Sequence, residues 1–348
     1  MTRTFIRHAL PFAAAMAVSF AMTPAFAHGD EGGSGGTILP AGTTSVTFGY
    51  DIARFNEISD ARLKALAIQG VEEVHSLKTI GVPSATIGYG VSADFTLSVR
   101  LPYLDNQEIR ETDPDAGGVA ARGGVQGIGD ISVAATYRVI HDEQHGVDAA
   151  IILGVKAPAG RTDVVDDLGE EFETEHQPGS GSWDGVFGAT LSKELGAATV
   201  TANSTYSLSG EGSRETTLGD RLSYGIGVSY RLFAGHEEAR EAMKLGGRFD
   251  GMMHHGGPGH EEHSDDHHGD IALDVSLGLN GEWQDKHETA GERDENTGGN
   301  ILYVTPGMKL TVDRYSGFVN FAIPVARDLN GIQVEPDWRL STGVSVDF

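Results

Sequence analysis

The stretch Trp338-Arg339-Leu340-Ser341-Thr342-Gly343-Val344-Ser345-Val346-Asp347-Phe348 closes the chain. Trp338, Leu340, Thr342, Val344, Val346 and Phe348 fall on one parity, and Arg339, Ser341, Gly343, Ser345 and Asp347 on the other. A period of two with one apolar and one polar set describes a β-strand that separates two environments. Ending such a strand on a terminal aromatic is the mark of a bacterial outer-membrane barrel. The alternation recurs along the chain. Leu222, Tyr224, Ile226, Val228, Tyr230 and Leu232 alternate with Ser223, Gly225, Gly227, Ser229 and Arg231. Ile271, Leu273, Val275, Leu277 and Leu279 alternate with Ala272, Asp274, Ser276, Gly278 and Asn280.

Read this way, the chain predicts about twelve strands, over 43–52, 83–92, 94–104, 127–140, 146–158, 182–195, 197–209, 220–233, 271–285, 300–312, 314–327 and 336–348. An even number suits a bacterial single-chain barrel. The fold expected is an all-β, antiparallel, up-and-down transmembrane barrel over residues 43–348. Alternate connections are short: Ala93-Asp94, His141 to His145, Gly196 and Asp313-Arg314. The others, 53–82, 105–126, 159–181, 210–219 and 286–299, are long. Short periplasmic turns and long external loops are the rule for such barrels, so both termini are expected in the periplasm. The link from Phe233 to Ile271 breaks the pattern, being long where a short turn is due. In the first external loop, Ser59 and Asp60 are placed to cap a helix through Ala61, Leu63, Leu66 and Ala67, with Gly70 as its stop.

Composition narrows the class. Residues 1–27 carry Arg3 and Arg7, an apolar run from Ala9 to about Met22, and then Ala25-Phe26-Ala27, the pattern of a cleaved signal peptide. Residues 28–42 read as a flexible, Gly- and acid-rich segment. Without the two leader arginines the chain has 23 basic and 50 acidic residues, a net charge of −27. That excess disfavours nucleic acid and anionic membrane surfaces as partners. Expected partners are outer-membrane lipid, a small-molecule solute and the machinery that assembles barrels. With no cysteine, disulfides and thiolate metal sites are excluded.

Two sets of residues are candidates for function. The segment 234–270, expected as a periplasmic loop, holds His254, His255, His260, His263, His267 and His268 among carboxylates, with Met252 and Met253 beside them. Imidazoles and carboxylates suit Zn²⁺, Ni²⁺ or Cu²⁺. Gly256-Gly257-Pro258-Gly259 denies the segment a rigid scaffold, and a solvated low-complexity loop is the bland alternative. The other set lies on the inward parity of the strands. Arg100, Arg138, Lys156, Arg231, Lys309 and Arg339 are expected to face Asp130, Asp148, Asp184, Glu194, Asp274, Glu282 and Asp347 across a lumen. They would line a pore and set its selectivity, or pair into ladders that fill it. No histidine lies inside a predicted strand, so a wall-embedded hydrolase has no base, and no enzyme is expected.

Four motifs carry a resemblance. They are Gly127-Ile128-Gly129-Asp130 leading to Tyr137-Arg138, Pro158-Ala159-Gly160-Arg161-Thr162-Asp163, Pro178-Gly179-Ser180-Gly181-Ser182-Trp183-Asp184, and Gly219-Asp220 leading to Tyr230-Arg231-Leu232. Together, over roughly 40–348, the chain resembles the outer-membrane transporter family named for the meta-pathway of phenol degradation. The resemblance implies a channel for small, aromatic or hydrophobic molecules. It assigns no substrate-contacting residue, and the His-rich segment, which is not a family feature, makes a metal-export accessory barrel the alternative.

Overall fold

In the computed structural model, which describes residues 37–71, 74–235 and 271–348, twelve strands form the wall. They are β1 (Thr44–Asn56), β2 (Thr79–Ser92), β3 (Phe95–Asp113), β4 (Ile131–Asp142), β5 (Val147–Ala157), β6 (Asp184–Leu195), β7 (Ala198–Leu208), β8 (Arg221–Ala234), β9 (Ile271–Gln284), β10 (Gly299–Val312), β11 (Tyr315–Leu329) and β12 (Glu335–Asp347). Each pairs antiparallel with its neighbours in sequence, and β12 pairs with β1 through Gly49 opposite Gly343 and Tyr50 opposite Thr342. The sheet is therefore closed, and each of these wall strands has a neighbour on both sides. The leader at 1–27 and the six histidines of 254–268 lie outside the described residues.

The pleat explains the surface. Phe48, Ile226, Leu277 and Val344 project outward and stay exposed, as a wall facing hydrocarbon requires. Thr47, Thr86, Thr136, Thr205, Thr305 and Ser345 are buried inside. Thr47 Oγ1 and Ser345 Oγ meet at 2.6 Å across the closing seam. Larger inward residues need space opposite: a Cβ on Gly343 would stand 2.6 Å from the Phe318 ring.

The two ends differ. At the end that carries the termini, β2–β3, β6–β7 and β10–β11 are joined by two-residue turns. His141, expected in the turn after β4, instead sits within that strand, because its pairing with Asp148 extends the ladder. At the opposite end the chain builds a cap. Helix α1 (Asp60–Ile68) starts at Ser59, whose Oγ accepts from the Arg62 N–H at 3.3 Å. Gly70 follows it with φ +77°, a value that favours glycine. The 105–126 connection, expected as a loop, is a hairpin. β3 runs on to Asp113, and a strand over Gly118–Ile128 returns along it. Gly123 and Gly124 conceal that strand from a reading by alternation. What holds it is Ile109 and Val125, buried with Phe172 from the 158–183 segment. A second apolar cluster, Leu63, Leu66 and Val74, seats α1 on the cap.

Candidate functional site

The lumen is divided along its axis. At the end of the termini it opens into a chamber of about 570 Å³, lined by Arg138, Asp148, Thr201, Asn203, Arg231 and Asp274, with Thr37 and Ile38 entering it. Toward the cap it narrows to a cavity of about 70 Å³ between Asp130, Lys156, Asp184, Pro178, Leu104 and Arg221. What narrows it is the segment joining β5 to β6, which folds inward.

Lys156 fixes that segment. Its buried ammonium lies 2.7 Å from Asp184 Oδ2 and 3.1 Å from Asp130 Oδ2, and it also bonds Ser180 and Ser182. Asp130 accepts from Gly160 N–H at 3.0 Å, from Ser180 N–H at 2.9 Å and from Ser180 Oγ at 2.8 Å. Asp184 Oδ1 accepts from Ser182 Oγ at 2.7 Å and from Gly210 N–H at 3.1 Å. The backbones touch as well: a Cβ on Gly179 would stand 2.7 Å from Gly160, and one on Gly160 would stand 2.8 Å from Gly129. Glycines permit that approach, and a buried cation with two carboxylates and full hydrogen bonding makes it specific. Three of the four sequence motifs, more than 25 residues apart in places, thus meet in one latch.

Other inward charges pair as well. Arg100 bonds Asp51 at 3.1 Å, Arg231 bonds Asp274 at 2.9 Å, and Arg339 bonds Glu282 at 2.6 Å while stacking 4.6 Å over Tyr303. Arg138 and Asp148 stand 3.8 Å apart in the chamber, and Lys309 lies opposite Asp274 in the β9–β10 register. Sequence reasoning named these cations. It did not name Asp51, and it met Ser180 and Ser182 only as members of a motif, because their partners lie too far along the chain for any periodicity to reveal.

Above the narrow cavity, the cap holds a second charged cluster. Arg122, on the returning strand, meets Asp166 at 2.7 Å, Glu170 at 2.9 Å, Glu111 at 3.3 Å and Glu173 at 3.5 Å. His75, His176 and His287, expected in external loops, are all buried in this region. His287 Nε2 lies 3.0 Å from Gln284 Nε2, which also bonds Leu218 O. Burial, reinforced by Arg221, pushes the His287 imidazole down to about 3.

The family model described as "Putative MetA-pathway of phenol degradation" matches residues 32–240, more than half of the chain. The chain belongs to this family. All three latch motifs fall within the matched region. Among solved structures, this phenol-degradation family member is similar to an outer membrane channel from Pseudomonas putida F1, at 14% identity and a TM-score of 0.52, over 92% of this chain and 99% of that one. That likeness shows the shared fold. Weaker likenesses include the beta domain of the Bordetella autotransporter BrkA, at 12% identity and TM-score 0.42 over 89% and 100% of the two chains. Another is the monoaromatic hydrocarbon channel TodX, at 8% identity and TM-score 0.40 over 89% and 91%. No curated protein matches the chain.

Proposed function

We propose that this family member is a bacterial outer-membrane channel for small molecules, with aromatic or hydrophobic compounds as the preferred class. The observation that carries the reading is the lumen itself: a closed wall around a roomy polar chamber that ends at a latched constriction. A purely structural barrel has no need of a chamber, and an enzyme would need a nucleophile and base assembled on one wall. Val82, Pro102, Leu104 and Pro178 give the constriction an apolar side opposite Lys156 and Asp130, a lining suited to a small amphipathic solute such as a phenol or benzoate. The family description and the channel in the solved relative agree with this reading. With both termini in the periplasm, the chamber would face inward and the cap outward. The alternative of metal export rests on residues 234–270, most of which lie outside the described residues.

The test is solute flux into liposomes carrying the refolded protein, comparing benzoate and phenol with sugars of similar mass. Faster entry of the aromatic solutes supports the reading. No flux above protein-free liposomes, from either the wild type or a latch variant, would overturn it.

A further inference from the structure

Three segments far apart in sequence converge in the cap: the short strand His75–Ser76, Glu111 on β3, and the turn Thr174–His176. His75 and His176 are fully buried, with ring centroids 4.6 Å apart in an edge-on arrangement. His75 Nε2 lies 2.9 Å from Glu111 Oε2 and 3.7 Å from Glu173 Oε2. One donor atom each of His75, Glu175 and His176 lie within 4.8 Å of one another, and so do donors of His75, Glu111 and Glu173. Among the described residues, neither ring nitrogen of His176 has a hydrogen-bond partner, and neither does Glu175 Oε1. Buried polar atoms are nearly always paired, so the bare atoms of His176 and Glu175, beside a donor of His75, ask for a partner. The charge balance asks for the same thing. Four carboxylates (Glu111, Asp166, Glu170 and Glu173) surround one guanidinium, that of Arg122, and a fifth, Glu175, lies beside His75 and His176.

We propose that this pocket is a divalent transition-metal site, with His75, His176 and Glu175 as ligands and with Glu111 and Glu173 completing or orienting the shell. Two imidazoles with carboxylates form the donor set of Zn²⁺, Ni²⁺ or Cu²⁺, whereas Ca²⁺ and Mg²⁺ take oxygen donors alone. An ion about 2.1 Å from each ligand would draw the donors together by roughly an ångström, within the reach of side-chain rotation. Burial opposes a charge on His75, yet Glu111, Glu173 and Glu175 outweigh it and push the imidazole up to about 9. Burial, with Glu173 beside it, pushes the Glu175 carboxyl up to about 8. An ion held here would tie β3, the segment before β2 and the inward-folded β5–β6 segment to one centre. The inference does not depend on what passes through the lumen, nor on the separate histidines of 254–268.

Because those histidines would also bind metal, the experiment uses the full chain with His254, His255, His260, His263, His267 and His268 replaced by serine. Zn²⁺ is titrated calorimetrically into this protein in detergent, and Co²⁺ absorption reports imidazole ligation. The proposal predicts one Zn²⁺ per chain, thermal stabilisation of the cap that a chelator reverses, and a Co²⁺ spectrum of low coordination number. Loss of even a residue that merely orients a ligand weakens metal binding about 10–100-fold, so His176→Gln should cost about 100-fold or more. Folding of each variant is checked by its mobility on a cold detergent gel. If His176→Gln does not fold, Glu175→Gln and the chelator shift decide. A folded serine-substituted chain that takes up no Zn²⁺, or that binds it equally well after His176→Gln, overturns the proposal.

Discussion

Lys156 shows what one residue controls. It neutralises Asp130 and Asp184 at once, so Lys156→Met leaves two buried carboxylates without a counterion. Removing one partner of a buried ion pair costs about 3–5 kcal/mol. The latch ties the inward-folded segment to the wall, so the loss should open the constriction before it unfolds the wall. We expect higher single-channel conductance in planar bilayers and faster protease cutting within 159–181, with an unchanged folded barrel on gels. Gly179→Ala should act alike, since its Cβ would strike the Gly160 backbone. Unchanged conductance in both variants would remove the latch from any gating role. His287 gives a pH prediction. Its folded value of about 3 lies below the usual 6.5, so it contributes stability that is complete above about pH 6.5 and is lost as pH falls toward 3. Proteolysis of the cap should therefore accelerate in acid less for His287→Gln than for the wild type. Taking the difference between the two proteins separates this effect from Glu175, whose raised value acts in the opposite sense. At this scale the sequence was half legible. Lys156, Asp130 and Asp184 stood out as inward charges, but their meeting at one point depends on a loop folding inward, which no local pattern encodes.

Elements were easier to read than residues. Strands β8 and β9 alternate so cleanly that their observed bounds, Arg221–Ala234 and Ile271–Gln284, fall within one residue of those read from parity. Lipid on one side and water on the other impose the same period on every wall strand, and that constraint is visible in sequence. In the cap, where both faces of a strand meet protein, the constraint lapses. The Gly118–Ile128 strand was accordingly missed, whereas α1 was legible through Ser59 and Gly70, the residues that start and stop it. The same contrast of environments can be measured. Ile226 faces outward near the middle of β8, and a lysine near the bilayer midplane costs about 2–4 kcal/mol. Ser229, three residues on, lines the wide chamber. Ile226→Lys should lower the midpoint of urea-induced unfolding in lipid substantially, and Ser229→Lys much less. Equal effects would mean that the outward face is not in hydrocarbon.

On the scale of the whole molecule, the wall and the plug are separable. Residues 159–181 contribute no wall strand, and their attachments include Asp130, Lys156, Arg122 on the returning arm of the cap hairpin, and Ser213 and Arg214. Replacing 159–181 by a short turn should leave a folded barrel with several-fold greater conductance, because the chamber would then run the full length of the lumen. A deletion that conducts no better than the wild type would place the barrier elsewhere. The wall itself allows no such editing. Thr44 N–H donates to Phe348 O at 3.1 Å, and Phe348 N–H donates to Thr44 O at 2.8 Å, so the first and last residues of the barrel hold each other. A ring joined at its two extremities is finished only when its final strand arrives. Until then the growing sheet has two raw edges and nowhere to hide them, so a molecule lacking either closing strand would present itself to proteases and aggregation as an open ribbon rather than as a smaller channel.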